Sequence, residues 1–159
     1  MAVAALHPAA AIVRTSLVLR REPPDPQSRM VLDIAAGTRS ERLFTDEYRC
    51  PIAVEDLASA LVELVGEASS YSGMLHVAGS EALSRLELGR LVLAAHGFEG
   101  AALPSWTLAE SGLRRPSDVR LSSSRAQSIL RTRLRPMSEY LGQRHLASRH
   151  LAASSNTEA

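Results

Sequence analysis

The chain contains no lysine: its 18 basic residues are all arginine. That removes a Tyr-x-x-x-Lys pair and a GxxxxGK[ST] phosphate loop, both of which need the lysine ammonium. A Gly-rich GxGxxG or GxxGxxG turn, an HExxH helix and a GxSxG elbow are missing as well. Cys50 is the single cysteine, which excludes an internal disulfide or a thiolate cluster and fits a reducing cytoplasm. The five histidines, His7, His76, His96, His145 and His150, are scattered without metal-ligand spacing, so no metal site is expected. Charge of one sign is not in excess either. With 18 basic against 17 acidic residues the formal charge is +1, which gives no global attraction to nucleic acid or an anionic membrane. Anion binding therefore has to be local. No apolar stretch approaches the roughly 20 residues that span a bilayer. Exclusive arginine usage suits bidentate phosphate contacts, but it more simply reflects a GC-rich coding sequence.

What is present is enough for one ordinary core: 159 residues, 45% hydrophobic and 22% charged. The apolar amino terminus lacks the form of a secretory signal, because His7 and Pro8 interrupt the run and the arginines follow it. Arg14, Arg20 and Arg21 precede the first acid, Glu22, as in a transit peptide, but residues 12–19 read better as a buried strand. Residues 2–6 form the end of a helix stopped by Pro8. Residues 10–19 are nearly continuous apolar sequence, as in a parallel strand covered on both faces. Too few other strand candidates exist to complete a doubly wound sheet, so the neighbours of this strand are expected from elsewhere. An edge left open in this way invites self-association.

Residues 22–27, EPPDPQ, form a loop, followed by a helix over 28–36 capped by Ser28 and ended by Gly37. An extended piece over 42–44 leads into the turn TDEYRCP and a helix over 54–65. There Val54, Leu57, Ala58, Leu61, Leu64 and Val65 share an apolar face, while Glu55, Asp56 and Glu63 fall off it. Residues 74–78 suit a strand between Gly73 and Gly79. Ser84 and Glu87 form a capping box opening a helix to about His96 that buries Leu86, Leu91, Val92 and Ala95 and stops at Gly97. Residues 101–118 look irregular, and long irregular stretches in a compact domain commonly carry function. Helices are expected over 122–130 and 136–141, with a disordered tail over 148–159.

Arg49 stands immediately before the 54–65 helix. By itself the pattern allows an ion pair with Asp46, Glu47 or Glu55, or contact with an anion; Arg114 and Arg115 can likewise be ordinary loop charges.

The ordered segments RTSLV, LFTDEYRCPIAVEDLASAL, GMLHVAGSEALSRLELGRLV and RRPSDVRLSSSRAQSIL, spanning residues 3–141, resemble the carboxy-terminal part of RmlD-like dTDP-4-dehydrorhamnose reductases. These belong to the extended short-chain dehydrogenase/reductases of the NAD-dependent epimerase/dehydratase superfamily. The resemblance implies an α/β fold comprising the carboxy-terminal portion of a Rossmann-like enzyme. A remnant of the Rossmann core over residues 1–20, a helix end and one parallel strand, would join a small mixed α/β substrate-binding subdomain for the sugar nucleotide over 21–147. It implies that Arg49 and Arg115, with Arg114 beside it, close on the diphosphate of a nucleotide-linked sugar. Asp118 would accept from a ribose hydroxyl, and Thr15, Ser16 and Leu17 would line the sugar and nicotinamide end. Rhamnose-forming reductases often carry an aromatic residue where Leu17 stands, which weakens the match to that substrate.

Relative to the family, the cofactor-binding half and its Tyr-Lys pair are expected to lie outside this chain. NAD(P)H is implied for intact relatives, and no catalytic or cofactor-binding residue is expected here. The expectation is a truncated or split substrate-binding part, inactive alone, that pairs with a separate cofactor half or with itself. The alternative is a non-catalytic binding protein like the regulatory subunit of methionine adenosyltransferase. Upstream coding sequence would distinguish the two.

Overall fold

The structure is a computed structural model and describes residues 2–66 and 71–142. The tail expected over 148–159, with His145 and His150, lies outside the described residues. The chain opens with helix α1 (Ala2–Leu6), strands β1 (Ala11–Arg14) and β2 (Val18–Leu19), and helix α2 (Pro26–Ala35). Three short strands follow, β3 (Leu43–Phe44), β4 (Tyr48–Arg49) and β5 (Ile52–Ala53), the last running directly into α3 (Val54–Val65). Next come β6 (Gly73–His76), β7 (Leu83–Ser84), α4 (Arg85–Ala95), β8 (Ser105–Trp106), α5 (Leu108–Ser111), α6 (Ser124–Ile129) and α7 (Met137–Gly142). The strands meet as four two-stranded pairs. β1 with β6, β2 with β5 and β3 with β8 are parallel, whereas β4 with β7 is antiparallel.

The strand expected over 10–19 is two strands, because its halves have different partners. β1 aligns Ile12 with Met74, β2 aligns Val18 with Ile52, and Thr15, Ser16 and Leu17 make the offset between them. One of the neighbours expected from elsewhere, β6, thus lies in this same chain, and the pair stays two-stranded among the described residues. Nor is β1 covered on both faces: Ala11 and Arg14 are exposed, and only Leu19 of β2 is fully buried.

Helix α2 starts two residues earlier than expected and is capped by Asp25, not Ser28. The Asp25 carboxylate accepts from the amides of Gln27 (2.8 Å) and Ser28 (3.1 Å). Pro26 at the first helical position needs no such partner. Ser28 instead donates its hydroxyl to Asp25 at 2.7 Å.

The bounds of α3 match the periodicity, but its buried face is Asp56, Ala60 and Leu64, while Leu61 and Val65 are 40% and 83% exposed. The rotation follows from Asp56, which is buried because Arg135 neutralises it.

The Ser84–Glu87 capping box opens α4 as expected. Leu88, Gly89, Val92 and Leu93 make its buried face, with Leu86, Leu91 and Ala95 packed half-buried at the margin. α2 and α4 end at glycines in the left-handed region, Gly37 (φ +73°) and Gly97 (φ +79°). The stretch 101–118 is less irregular than expected. It holds β8 and then α5, whose start is a second capping box between Thr107 and Glu110.

Two apolar clusters hold these pieces. One joins Leu19, Val31, Leu43, Val92, Met137 and Tyr140; the other joins Ile52, Ala60, Leu64, Leu75, Ala126 and Leu134. β5 divides between them, with Ala53 in the first and Ile52 in the second.

Candidate functional site

The segment TDEYRCP is not a bare turn, since Tyr48 and Arg49 within it pair with Ser84 and Leu83 of β7. That antiparallel register sets Glu47 opposite Arg85, the first residue of α4. On its other side Tyr48 bonds to the 117–119 segment: its amide donates to Ser117 O at 2.7 Å and its carbonyl accepts from Val119 N at 3.3 Å. β4 therefore draws together three stretches far apart in sequence.

Glu47 stands where they meet. Its side chain is fully buried, and three arginines converge on it. Arg49 Nη2 lies 2.7 Å from Oε1, Arg85 Nε donates to Oε1 at 3.1 Å, and Arg115 Nη2 donates to Oε1 at 3.0 Å. Arg115 Nε lies 3.0 Å from Oε2 without hydrogen-bond alignment. Arg85 also donates to Gln27 Oε1 (3.1 Å), and Arg49 to the Tyr48 carbonyl (2.8 Å). Three guanidinium cations against one carboxylate leave two positive charges in this contact group. The crowding acts on Arg49: burial lowers its proton affinity, Arg85 and Arg115 push the same way, and Glu47 opposes them. An anion placed against the cluster would relieve that repulsion.

The cluster opens on a cleft of about 570 Å³, walled by Glu47, Arg85 and Arg115 together with Arg42, Phe44 and Trp106. Phe44 and Trp106 stack with centroids 5.7 Å apart and planes 27° apart. A guanidinium lies on each ring, Arg115 over Phe44 at 5.2 Å and Arg42 over Trp106 at 5.1 Å. Both rings stand on the short parallel pair of β3 and β8. A pocket of this size, lined by Arg42, Arg85 and Arg115 against Glu41 and Glu47 and bordered by two aromatic rings, suits an anionic ligand that carries a planar ring.

The residues named from sequence are partly brought together. Arg49 and Arg115 share Glu47, so of the three acids offered as partners for Arg49 it is Glu47 that holds it. Asp46 instead accepts from Leu108 N at 2.9 Å, and Glu55 accepts from the Tyr140 hydroxyl. Arg115 lines the cleft, whereas Arg49 is not among its lining residues. Arg114 and Thr15 are exposed. Ser16 Oγ accepts from Cys50 N at 3.3 Å, which ties it beside Arg49. Leu17 packs against the first apolar cluster, and its carbonyl accepts from Ile52 N. Asp118 is exposed and engaged by Arg120, whose hydrogen bonds lower its pKa to about 2.

Sequence reasoning missed Arg85, Arg42, Phe44 and Trp106 as site residues, and it named Glu47 only as a possible partner of Arg49. Nothing in the sequence pairs two-residue strands, so the register that brings Arg85 to Glu47 had no local signal.

The RmlD substrate binding domain matches residues 1–148. The chain belongs to that family. No curated protein is similar enough to match it. Among solved structures it is similar to a hypothetical dTDP-4-dehydrorhamnose reductase from Sulfolobus tokodaii, with 29% identity and a TM-score of 0.63 over 80% of this chain and 44% of that one. It is similar to the dTDP-4-dehydrorhamnose reductase of Bacillus anthracis solved with NADP, at 17% identity, TM-score 0.69, covering 83% and 46%. A third is the UDP-glucuronic acid 4-epimerase of Bacillus cereus solved with UDP-glucuronic acid and NAD, at 18% identity, TM-score 0.61, covering 84% and 43%.

The fold is accordingly that of the carboxy-terminal part of the RmlD-like extended short-chain dehydrogenase/reductases, and the chain spans just under half the length of these solved relatives. The joins of β5 into α3, β7 into α4 and β8 through Thr107 into α5 carry no glycine, the residue type that lets a backbone approach a pyrophosphate closely. Among the described residues no helix is long and apolar enough to cross a membrane.

Proposed function

We propose that this domain binds a nucleotide-linked sugar, holding its diphosphate at the cluster of Arg49, Arg85 and Arg115. The observation that carries the reading is the convergence of three guanidinium groups on the buried Glu47, two of them, Arg85 and Arg115, lining a cleft that Phe44 and Trp106 also line. Guanidinium forks match phosphoryl oxygens and form charge-assisted hydrogen bonds with them. The nucleoside lies along Phe44 and Trp106, and Asp118 with Arg114 borders it. Thr15, Ser16 and Leu17, tied to β4 and β5 through Cys50 and Ile52, form the sugar end.

The reaction class implied for the full assembly is reduction of a keto group on that sugar, with NAD(P)H supplying the hydride. The residues of this chain contribute binding and orientation; hydride transfer is assigned to a cofactor-binding half. Calorimetric titration of the full chain with dTDP- and UDP-sugars tests the reading. Saturable binding is expected, weakened about thirtyfold by Arg115→Ala or Arg85→Ala, the loss of one charged hydrogen-bonding group. No saturation at millimolar ligand, by a protein shown to be folded, would overturn it.

A further inference from the structure

Glu47 is a costly residue for an anion site, since a carboxylate buried behind the arginines still repels a diphosphate bound to them. A neutral acceptor such as glutamine could also orient guanidinium groups. What only the carboxylate does is subtract a charge. The three arginines alone would carry three positive charges, and with Glu47 the contact group carries two, of which Arg85 and Arg115 stand on the cleft wall.

We propose that Glu47 is a specificity-determining and positioning residue that matches the site to the two negative charges of a diphosphate diester. It thereby selects a sugar nucleotide over a free nucleoside diphosphate. The two ligands share base, ribose and diphosphate. The free nucleotide differs by the ionised terminal phosphate, which gives it about three negative charges at pH 8. Glu47 also sits where the difference is felt, because its buried carboxylate contacts all three cations, two of which, Arg85 and Arg115, line the cleft. The inference rests on the diphosphate site proposed above, and its test separates the two.

The measured quantity is the ratio of affinities for UDP-glucose and UDP, and for the corresponding dTDP pair, by calorimetry on the full chain at pH 8 and low salt. Glu47→Gln keeps the shape and adds one positive charge to the cluster. The ratio then shifts about tenfold toward the free nucleotide, the size that one unit charge at about 6 Å supplies in a partly solvated cleft. Arg85→Gln removes a positive charge while Glu47 stays, so the ratio shifts the opposite way. A structural role alone would weaken both ligands equally and leave the ratio fixed. Opposite shifts in the two variants support the inference; if Glu47→Gln does not fold, the double variant Glu47→Gln/Arg85→Gln, whose contact group keeps the wild-type net charge, supports it by restoring the wild-type ratio that Arg85→Gln has shifted, and overturns it by keeping the Arg85→Gln ratio. An unchanged ratio in folded Glu47→Gln overturns it while the diphosphate site stands. Wild-type protein that binds neither ligand overturns both.

Discussion

Asp56 and Arg135 form a buried pair that ties α3 to the segment leading into α7. Arg135 donates through Nε at 2.9 Å, Nη2 at 2.6 Å and its own backbone amide at 3.0 Å, so both carboxylate oxygens are taken. The Asp56 side chain is 8% exposed and that of Arg135 22%. Breaking one side of such a pair strands the other charge. Asp56→Asn is expected to cost about 3 kcal/mol, whereas an apolar replacement of both partners recovers much of the loss. Urea unfolding of the single and double variants checks this, and equal destabilisation by both would mean that packing, not charge, dominates.

Gly79 marks a second crossing of the same kind, between the end of the β6 segment and the residue before β5. A Cβ built on Gly79 would lie 1.9 Å from the Pro51 carbonyl oxygen, a backbone atom without freedom to retreat. Gly79→Ala therefore has to separate two backbone segments. A loss of about 3 kcal/mol is expected, at the upper end for an overpacked site. A thermal midpoint within a degree of wild type would show that the segments part easily.

These two contacts show what sequence carries and what it does not. The length of α3, the Ser84–Glu87 cap and the glycine stops are set within a few neighbouring residues, and each lies where the pattern predicts it. The apolar face of α3 was misjudged because period alone counts Asp56 as outward, and its partner lies 79 residues away. The run over 10–19 failed for a related reason: apolar continuity does not disclose that two halves of a segment have different strand partners. The family resemblance brought Arg49 and Arg115 together before any contact was visible. Their shared counter-ion, and Arg85, depended on the pairing of β4 with β7.

Glu63, on α3, gives a pH-dependent contact. Its carboxylate accepts from the Arg131 amide at 2.6 Å, and from the Thr132 amide (2.9 Å) and hydroxyl (2.8 Å). These bonds, the Arg131 amide foremost, hold its pKa below the ordinary glutamate range. A folded pKa below the unfolded value means that the stabilisation is present above about pH 4.3 and is lost as pH falls through the folded pKa. Glu63→Gln is thus expected to be less stable than wild type at pH 7, with the difference shrinking towards pH 3. Urea midpoints at the two pH values decide it, and a constant gap would remove ionisation from the account.

Ser84 joins local structure to the site. Its hydroxyl accepts from Glu87 N at 3.2 Å, while Glu87 accepts from Ser84 N at 2.7 Å, and the next residue is Arg85. Removing the hydroxyl frees the first turn of α4, at a cost of about 1 kcal/mol. Because Arg85 occupies that first turn, the fraying also loosens its hold on Glu47. Ser84→Ala is expected to raise hydrogen exchange at residues 86–88 and to weaken sugar-nucleotide binding several-fold, although Ser84 is not among the residues lining the cleft. Faster exchange with unchanged affinity would show that Glu47 and Gln27 fix Arg85 without help from the helix start.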